Sequence, residues 1–276
     1  MRNDVPQAKL AILAVVMIAI LAVSVALAYL VTKPGKSNSP GGAEIISKLA
    51  SDTIEGYWTG SRRQSWFIML NPNAQPVGWQ MSSRGRESEG IFSGSLVDGS
   101  IGASRHRSTW RTKTDLSESI YTSRGPANKA QMADTRIELT DSEVTVVRIV
   151  GGRKRSATAP RPANYVPEGT FPLVLRLAAA GARPVTIKMI VDQYAIVDGK
   201  INFVDISLMP LGDNVVRAVC SRRRVMPTTV YHLDSEYNVY QRVYPTMGII
   251  YRLCEKELVT KTFRIIDDQA NVKFTP

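Results

Sequence analysis

The side chains that most often perform chemistry in proteins are scarce in this sequence. It contains two cysteines, Cys220 and Cys254, and two histidines, His106 and His232. A cysteine nucleophile needs a histidine base beside it, and both cysteines lie in segments whose pattern predicts β-strands, where a thiol is usually inert. These residues are also too few for a tetrahedral zinc site without carboxylate ligands. The sequence therefore predicts neither a catalytic thiol nor a metal site.

The two histidines have no sequence context that is typical of catalysis. His106 lies in "SRHRSTW", between Arg105 and Arg107, and these positive charges disfavour a protonated imidazole. His232 directly precedes a predicted turn. We therefore interpret both as structural or surface residues, and we expect His106 to be uncharged.

Nucleotide cofactors and the common hydrolase signatures are not indicated either. The sequence has no Gly-x-Ser-x-Gly elbow, and it has neither Gly-x-x-x-x-Gly-Lys nor Gly-x-Gly-x-x-Gly. Several aspartates fall at strand ends or turns, where this side chain commonly bonds to the local backbone: Asp192, Asp198, Asp205, Asp213 and Asp234. We predict no catalytic residue and no cofactor. A hydrolase whose paired carboxylates meet only in the folded protein stays open as an alternative.

Basic residues are the strongest chemical signal. The net charge is +11, and about +8 belongs to the chain beyond residue 43. Basic clusters recur at Arg84 and Arg86, in the triplets 153–155 and 222–224, and at Arg105, Arg107, Arg111 and Lys113. The last four have the same parity, so one continuous strand would present them on one face as an anion-contact stripe. The alternatives are a solvated sheet face and a nucleic-acid groove, and an exported location argues against nucleic acid.

The N-terminus predicts a membrane anchor. Residues 10–31 are uncharged, and at roughly 1.5 Å per residue they span a bilayer core of about 30 Å. A cleaved signal peptide is the alternative, because Ala26-Leu27-Ala28 resembles a cleavage site, but signal-peptide cores usually have only about 7–15 apolar residues. We expect residues 1–9 in the cytoplasm, 10–31 as a single-pass anchor in a bacterial cytoplasmic membrane, and 32–43 as a flexible linker. The extracytoplasmic domain is then 44–276.

Beyond the linker, the hydrophobic period is that of β-strands joined by hairpins. In "WFIMLNPNAQPVGWQM", residues 66–81, an apolar run meets Asn-Pro-Asn turn chemistry, after which Val77, Trp79 and Met81 alternate with polar or small residues. We expect these three on an apolar inner face that binds a ligand. Asp198-Gly199 is a second hairpin signal. About twelve to fourteen strands are predicted, the last of them over 257–266.

One segment departs from this period and predicts a helix. Thr170 to Gly181 places Leu173, Val174, Leu177 and Ala178 on one helical face, with Thr170 as N-cap and Gly181 at the C-terminal end. A second helix is expected within 43–55. The fold class is therefore mainly β: a curved antiparallel sheet, half-barrel-like, with one central helix, preceded by the N-terminal transmembrane helix.

The two cysteines leave two interpretations open. An exported chain permits a disulfide between Cys220 and Cys254, since neighbouring strands can meet the Cα separation of about 5.5 Å that a disulfide needs. Two buried free thiols that pack as small apolar side chains are the alternative.

Two stretches resemble exported bacterial β-rich domains with the antiparallel half-barrel architecture of lipoprotein carriers of the LolA type. They are "TTVYHLDSEYNVYQRVYPTMGIIYRLCEKEL", residues 228–258, and "NPNAQPVGWQMSS", residues 71–83. Asn238 departs from the pattern, which commonly has glycine there. The resemblance implies a half-barrel whose concave face shields apolar groups, without a catalytic triad.

These observations lead to a first hypothesis of function. The chain is predicted to be a non-catalytic, membrane-anchored envelope domain that binds a lipid-like or apolar ligand or an envelope protein partner. The alternatives are a hydrolase that acts on an envelope polymer and a structural assembly subunit.

Overall fold

A computed structural model describes residues 63–100, 106–127, 131–222 and 224–264 of this chain. Secondary structure in these ranges is mainly β, and its bounds are β1 (Arg63–Leu70), β2 (Pro76–Ser88), β3 (Ile91–Ser100), β4 (His106–Lys113), β5 (Ser119–Pro126), β6 (Met132–Leu139), β7 (Glu143–Val150), β8 (Arg153–Pro160), β9 (Val185–Ile190), β10 (Ile196–Val197), β11 (Lys200–Ile201), β12 (Phe203–Gly212), β13 (Val215–Cys220), β14 (Thr229–Leu233), β15 (Val239–Tyr244) and β16 (Ile249–Cys254). The helices are α1 (Phe171–Gly181) and α2 (Lys256–Phe263), and two 3₁₀ turns lie at Glu168–Thr170 and Asp192–Tyr194.

Fourteen strands form one antiparallel sheet in the order β8-β7-β6-β5-β4-β3-β2-β1-β16-β15-β14-β13-β12-β9. Most neighbours in the sheet are neighbours in sequence, as hairpin connections require. The sheet's two halves join where β1 pairs with β16. The short β10–β11 hairpin turns at Asp198 and Gly199, both at positive φ, as the Asp-Gly pair indicated. The predicted mainly-β antiparallel fold is confirmed.

The sheet curves around α1. Leu173, Val174, Leu175 and Ala178 of the helix are buried in a single apolar core. That core contains residues of β3 to β7 from one half of the sheet and of β9 and β12 to β14 from the other half. Strands so far apart in the sheet can share one core only if the sheet bends. We call the face toward α1 the inner face and the opposite face the outer face.

Helix α1 matches its predicted position, but its N-terminus differs in detail. Thr170 stands at the N-cap, yet its hydroxyl donates to the carbonyl of Pro167 at 2.8 Å instead of capping the helix. The helix ends at Gly181, and the left-handed conformation (φ 46°) falls on Ala182.

The C-terminal part contradicts the predicted last strand. Residues Lys256–Phe263 form helix α2. Val259 is fully buried, and Phe263, four residues later, packs against the same cluster on the outer face with Trp66, Trp79, Met81 and Val97. The β-branched residues in "ELVTKTF" favour a strand locally, but packing one helical face onto the sheet outweighs this preference.

Trp110 connects the sheet to the turn before α1. Its indole lies between Gly94, its cross-strand partner, and Gly169 of the 3₁₀ turn. A Cβ on Gly94 would overlap the Trp110 ring and approach the backbone oxygen of Ser83 to 2.6 Å.

We therefore expect Gly94→Ala to lower the free energy of unfolding by about 1–3 kcal/mol, measured by urea denaturation. Gly181→Ala is the matched control, because nothing lies within 4 Å of its added Cβ. Equal effects of the two substitutions would contradict the packing argument.

The predicted N-terminal segments lie outside the described residues. These are the cytoplasmic residues 1–9, the anchor 10–31, the linker 32–43 and the helix within 43–55. Within the described ranges, no helix has the length and apolar character to cross a membrane.

Candidate anion-binding site

A partly buried ionic centre lies on the inner face at the start of β4. His106 Nε2 is 3.0 Å from Asp192 Oδ2, and Nδ1 is 3.5 Å from Asp98 Oδ2, an ion pair without hydrogen-bond geometry. The hydroxyl of Tyr121 donates to the same oxygen of Asp192 at 3.4 Å. His106 is therefore held between two carboxylates.

Three separate elements bring these groups together. Asp98 of β3 and His106 of β4 are direct cross-strand partners, so their side chains share the inner face. Asp192 comes from the 3₁₀ turn after β9, which lies at the far edge of the sheet. The amide of Gln193 donates to Asp192 Oδ1 at 2.7 Å and orients the carboxylate. The bend of the sheet closes this contact across 86 positions in sequence.

The electrostatics contradict the expectation that His106 is uncharged. Burial opposes the charged imidazole, but the hydrogen bond to Asp192 and the contact with Asp98 raise the pKa of His106 from 6.5 to about 10. Burial likewise favours a neutral Asp192, yet His106 holds the pKa of that carboxyl below its usual value. The flanking arginine on the described part of β4, Arg107, points to the outer face, away from the imidazole. Strand alternation separates the charges that are adjacent in sequence.

The ionic centre continues across the inner face as a chain of side-chain hydrogen bonds that ends at Arg242. The amide of Gln80 donates to Asp98 Oδ1 at 3.2 Å, and the Gln80 carbonyl accepts a hydrogen bond from Arg242 of β15. The Arg242 guanidinium lies 5.2 Å from the ring centroid of Phe67 and 4.5 Å from that of Tyr251. This chain links the two halves of the sheet through their side chains.

A second buried acid lies beside the centre. Burial raises the pKa of Glu168 to about 8, and the nearby charge of Asp192 acts in the same direction. The amide of Ile190 donates to Glu168 Oε1 at 3.3 Å, which opposes the shift. Oε2 is buried and accepts no hydrogen bond that meets geometric criteria within the described structure. Burial also raises the pKa of the neighbouring Tyr165 and Tyr121 well above 10.

This centre is poorly suited to acid–base catalysis. A general base must be unprotonated near the working pH, whereas His106 carries its proton up to a pKa of about 10. Both ring nitrogens already face carboxylates. Among the described residues, no three histidine, cysteine or acidic side chains are grouped so that they could hold a metal ion. The arrangement can hold the sheet in its curved form.

A cationic pocket of about 590 Å³ adjoins the ionic centre. Its walls come from the β7–β8 hairpin, the ends of the β5–β6 connection, the turn at Gln193 and strand β10. Arg148, Arg153 and Arg155 line it, and no acidic residue is among the described residues that do so. Arg148 and Gln193 also line the small adjoining cavity that contains His106 and Asp192.

The predicted basic stripe on β4 lies elsewhere. Arg105 is outside the described residues. Arg107, Arg111 and Lys113 project from the outer face, where Glu87 pairs with Arg111 at 3.2 Å and Glu118 pairs with Lys113 at 2.7 Å. Because neighbouring carboxylates compensate two of the three cations, this stripe is a weaker anion site than the pocket.

The predicted apolar ligand face does not lie toward α1. Trp79 and Met81 are on the outer face, 4% and 2% exposed, in the cluster beneath Val259 of α2. Val77 shares their strand parity and is half-buried. Alternation showed correctly that one side of β2 is apolar, but it could not show which face of the sheet that side would be. The C-terminal helix, predicted as a strand, covers this face.

Of the two interpretations of the cysteines, the structure favours free thiols. Cys220 and Cys254 are both free. Their strands, β13 and β16, are separated in the sheet by β14 and β15. The Cys220 side chain belongs to the inner core, whereas Cys254 packs on the outer cluster. The structure therefore agrees with free thiols that pack as small apolar side chains, although Cys220 is buried and Cys254 is only partly buried.

The residues that sequence reasoning missed are Asp98, Arg148 and the central role of Asp192. Asp192 was interpreted as a turn residue, which its bond to the Gln193 amide supports, but its second oxygen reaches His106. Arg148 interrupts the apolar alternation of Val144 and Val146 on the inner side of β7. A charged residue at a core-facing position of a strand was the signal in the sequence.

Comparison with known proteins identifies no family. No protein-family model matches the sequence, and no curated protein is significantly similar to it. Among solved structures, the chain is similar to a β-barrel-like protein of the domain of unknown function DUF1849 from Brucella abortus. The TM-score is 0.47 at 8% sequence identity, over 70% of this chain and 96% of the other. The fold described above rests on the strand order and register of this chain.

Proposed function

We propose that this protein is a membrane-anchored, non-catalytic domain of a bacterial cell envelope, which binds an envelope ligand or protein partner. The observation that carries the proposal is the position of His106 between Asp98 and Asp192. The charges of this partly buried cluster compensate one another instead of being available to a substrate.

A charged ligand or partner is better supported than an apolar one. In a half-barrel of the lipoprotein-carrier type, an acyl chain would occupy the concave face. Here α1 occupies the inner side, with Leu173, Val174 and Leu175 at most 3% exposed. We propose that the half-barrel architecture serves to hold α1, and that binding uses polar surface at the ends and edges of the sheet.

The two alternatives have less support. Hydrolysis of an envelope polymer needs a substrate bond between two carboxyl groups, but the Asp98 and Asp192 carboxylates have the His106 imidazole between them. Assembly by strand pairing needs an open sheet edge. Of the two sheet edges, the one at β9 is occupied, because the Val166 amide donates to the Lys188 carbonyl and the Lys188 amide donates to the Asn164 carbonyl.

The membrane location is tested with a reporter enzyme. Alkaline phosphatase fused after residue 276 of the full chain is expected to be active in a bacterial host, because this enzyme folds only outside the cytoplasm. The fusion should stay in the membrane fraction after an alkaline wash. Deletion of residues 10–31 is the control, and it should abolish the reporter activity. An inactive full-length fusion, or one that is released by the wash, would refute the anchor and the exported location.

The binding role is tested by native mass spectrometry of the full chain, extracted gently from the source membrane. We expect a non-covalent adduct with an envelope component. A chain that always appears without a ligand or partner would count against the proposed binding function.

A further inference from the structure

We propose that the pocket between the β7–β8 hairpin and the turn at Gln193 is a binding site for a phosphate group carried by a small organic molecule or lipid headgroup. The inference deepens the proposed function by assigning a ligand class to one site. It depends only on the residues around that pocket, so it can hold even if the membrane location is wrong.

The arrangement of the arginines is unfavourable without an anion. Arg148 of β7 and Arg155 of β8 are direct cross-strand partners, so two guanidinium groups project side by side from the same face. Arg153 projects from that face as well, two residues along β8. Like charges directly opposite one another destabilise a strand pair. A bound anion would reverse the sign of this interaction.

The Nε donor of Arg148 is not used within the described part of the chain. This nitrogen is buried and has no hydrogen-bond partner among the described residues. Asp192 lies in the adjoining cavity, but its oxygens accept hydrogen bonds from His106, Tyr121 and Gln193. A buried donor without a partner costs about 1–3 kcal/mol, and an acceptor from a ligand would remove this cost.

The size and chemistry of the pocket define the ligand class. Three guanidinium groups suit the several terminal oxygens of a phosphate, because each presents a planar fork of N–H donors. A volume of about 590 Å³ lies in the range of small-molecule sites, far larger than a bare ion needs. Val150 and Ile196 supply apolar lining beside the arginines. In a phosphate with an organic substituent, the phosphate group matches the arginines and the substituent matches the apolar lining.

The test titrates pyrophosphate by calorimetry into the purified full chain, in phosphatidylcholine nanodiscs if the chain inserts and in detergent-free solution if it does not. A second arm replaces part of the phosphatidylcholine with phosphatidic acid and measures the midpoint of thermal unfolding. We expect saturable binding in at least one arm, and a loss of affinity of at least about tenfold in Arg148→Gln and in Arg155→Gln. Binding of pyrophosphate alone indicates a soluble phosphorylated ligand, and stabilisation by phosphatidic acid alone indicates a headgroup.

Arg107→Gln is the matched control, because it removes the same charge from the outer face, where Arg107 opposes Arg124. It should retain wild-type affinity. Arg155→Gln should also leave the unliganded protein as stable as wild type or more stable, since it removes repulsion from Arg148. The stability of the unliganded Arg155→Gln variant therefore separates a loss of binding from a folding defect. No binding in either arm, or equal losses in all three variants, would overturn the proposal.

Discussion

Replacing His106 by alanine is expected to lower the free energy of unfolding by about 2–3 kcal/mol at pH 6. Removal of one member of a buried ionic cluster leaves its partners uncompensated, which typically costs about 3–5 kcal/mol for fully buried groups. Here the side chains of Asp98 and Asp192 are 32% and 17% exposed, so water reduces the penalty. Urea denaturation of the wild type and the variant measures the difference. His232→Ala is the control, because the described contact of its ring is with Tyr240.

The pH dependence of this difference distinguishes charge from packing. The pKa of His106 is raised to about 10 in the folded protein, above its usual 6.5. A raised pKa means that the folded state binds the proton more tightly, so the stabilisation is complete below pH 6.5 and is lost as the pH rises towards 10. The difference in free energy of unfolding between wild type and His106→Ala should therefore decrease between pH 6.5 and 10. A cost that stays constant over this range would show that His106 acts by packing alone.

Glu168→Gln is expected to have the opposite effect and to stabilise the protein at alkaline pH. Burial raises the pKa of Glu168 to about 8 from 4.5, so the folded protein prefers the neutral acid. The resulting penalty is absent below pH 4.5, grows as the pH rises and is complete above pH 8. Glutamine keeps the shape without the charge. We expect a gain of roughly 2–4 kcal/mol at pH 8.5, given about 1.36 kcal/mol per pKa unit and the hydrogen bond from the Ile190 amide, which favours the carboxylate in the wild type.

The measurement is the free energy of unfolding of wild type and Glu168→Gln at pH 5 and pH 8.5. The two proteins should be nearly equal at pH 5. Glu143→Gln is the matched control, because Glu143 is exposed at the start of β7 and its substitution should change stability by less than about 0.5 kcal/mol at either pH. If Glu168→Gln is destabilising at pH 8.5, the carboxylate is satisfied in the folded protein, and the argument from burial is wrong.

Much of the fold was readable because its signals are local. The alternating apolar residues, the Asp198-Gly199 turn and the helical spacing around Leu173 each arise from a few neighbouring positions, and each predicted its element correctly. The failure at α2 has a physical cause. Its β-branched residues favour a strand, while burial of Val259 against Trp66 and Trp79 depends on strands almost 200 positions away.

The candidate site was readable only in part. The triplet 153–155 is a basic cluster in the sequence, but it resembles the other basic clusters, so the sequence gives no reason to prefer it as an anion-binding site. What distinguishes it is Arg148 opposite Arg155 and the lack of acidic residues among the described lining, both of which depend on strand register. The β4 stripe had the clearer pattern in sequence, yet Glu87 and Glu118 from other segments compensate it.

The amino-acid sequence by itself determined that this chain forms antiparallel hairpins with one helix against them, because strand period, turn residues and helix spacing act between near neighbours. Only the tertiary structure decided which charges meet. The bend of the sheet brings Asp192 to His106 and reverses the expected charge state of the imidazole. Electrostatic energies depend on distance and burial in space, and neither quantity follows from the separation of residues along the chain.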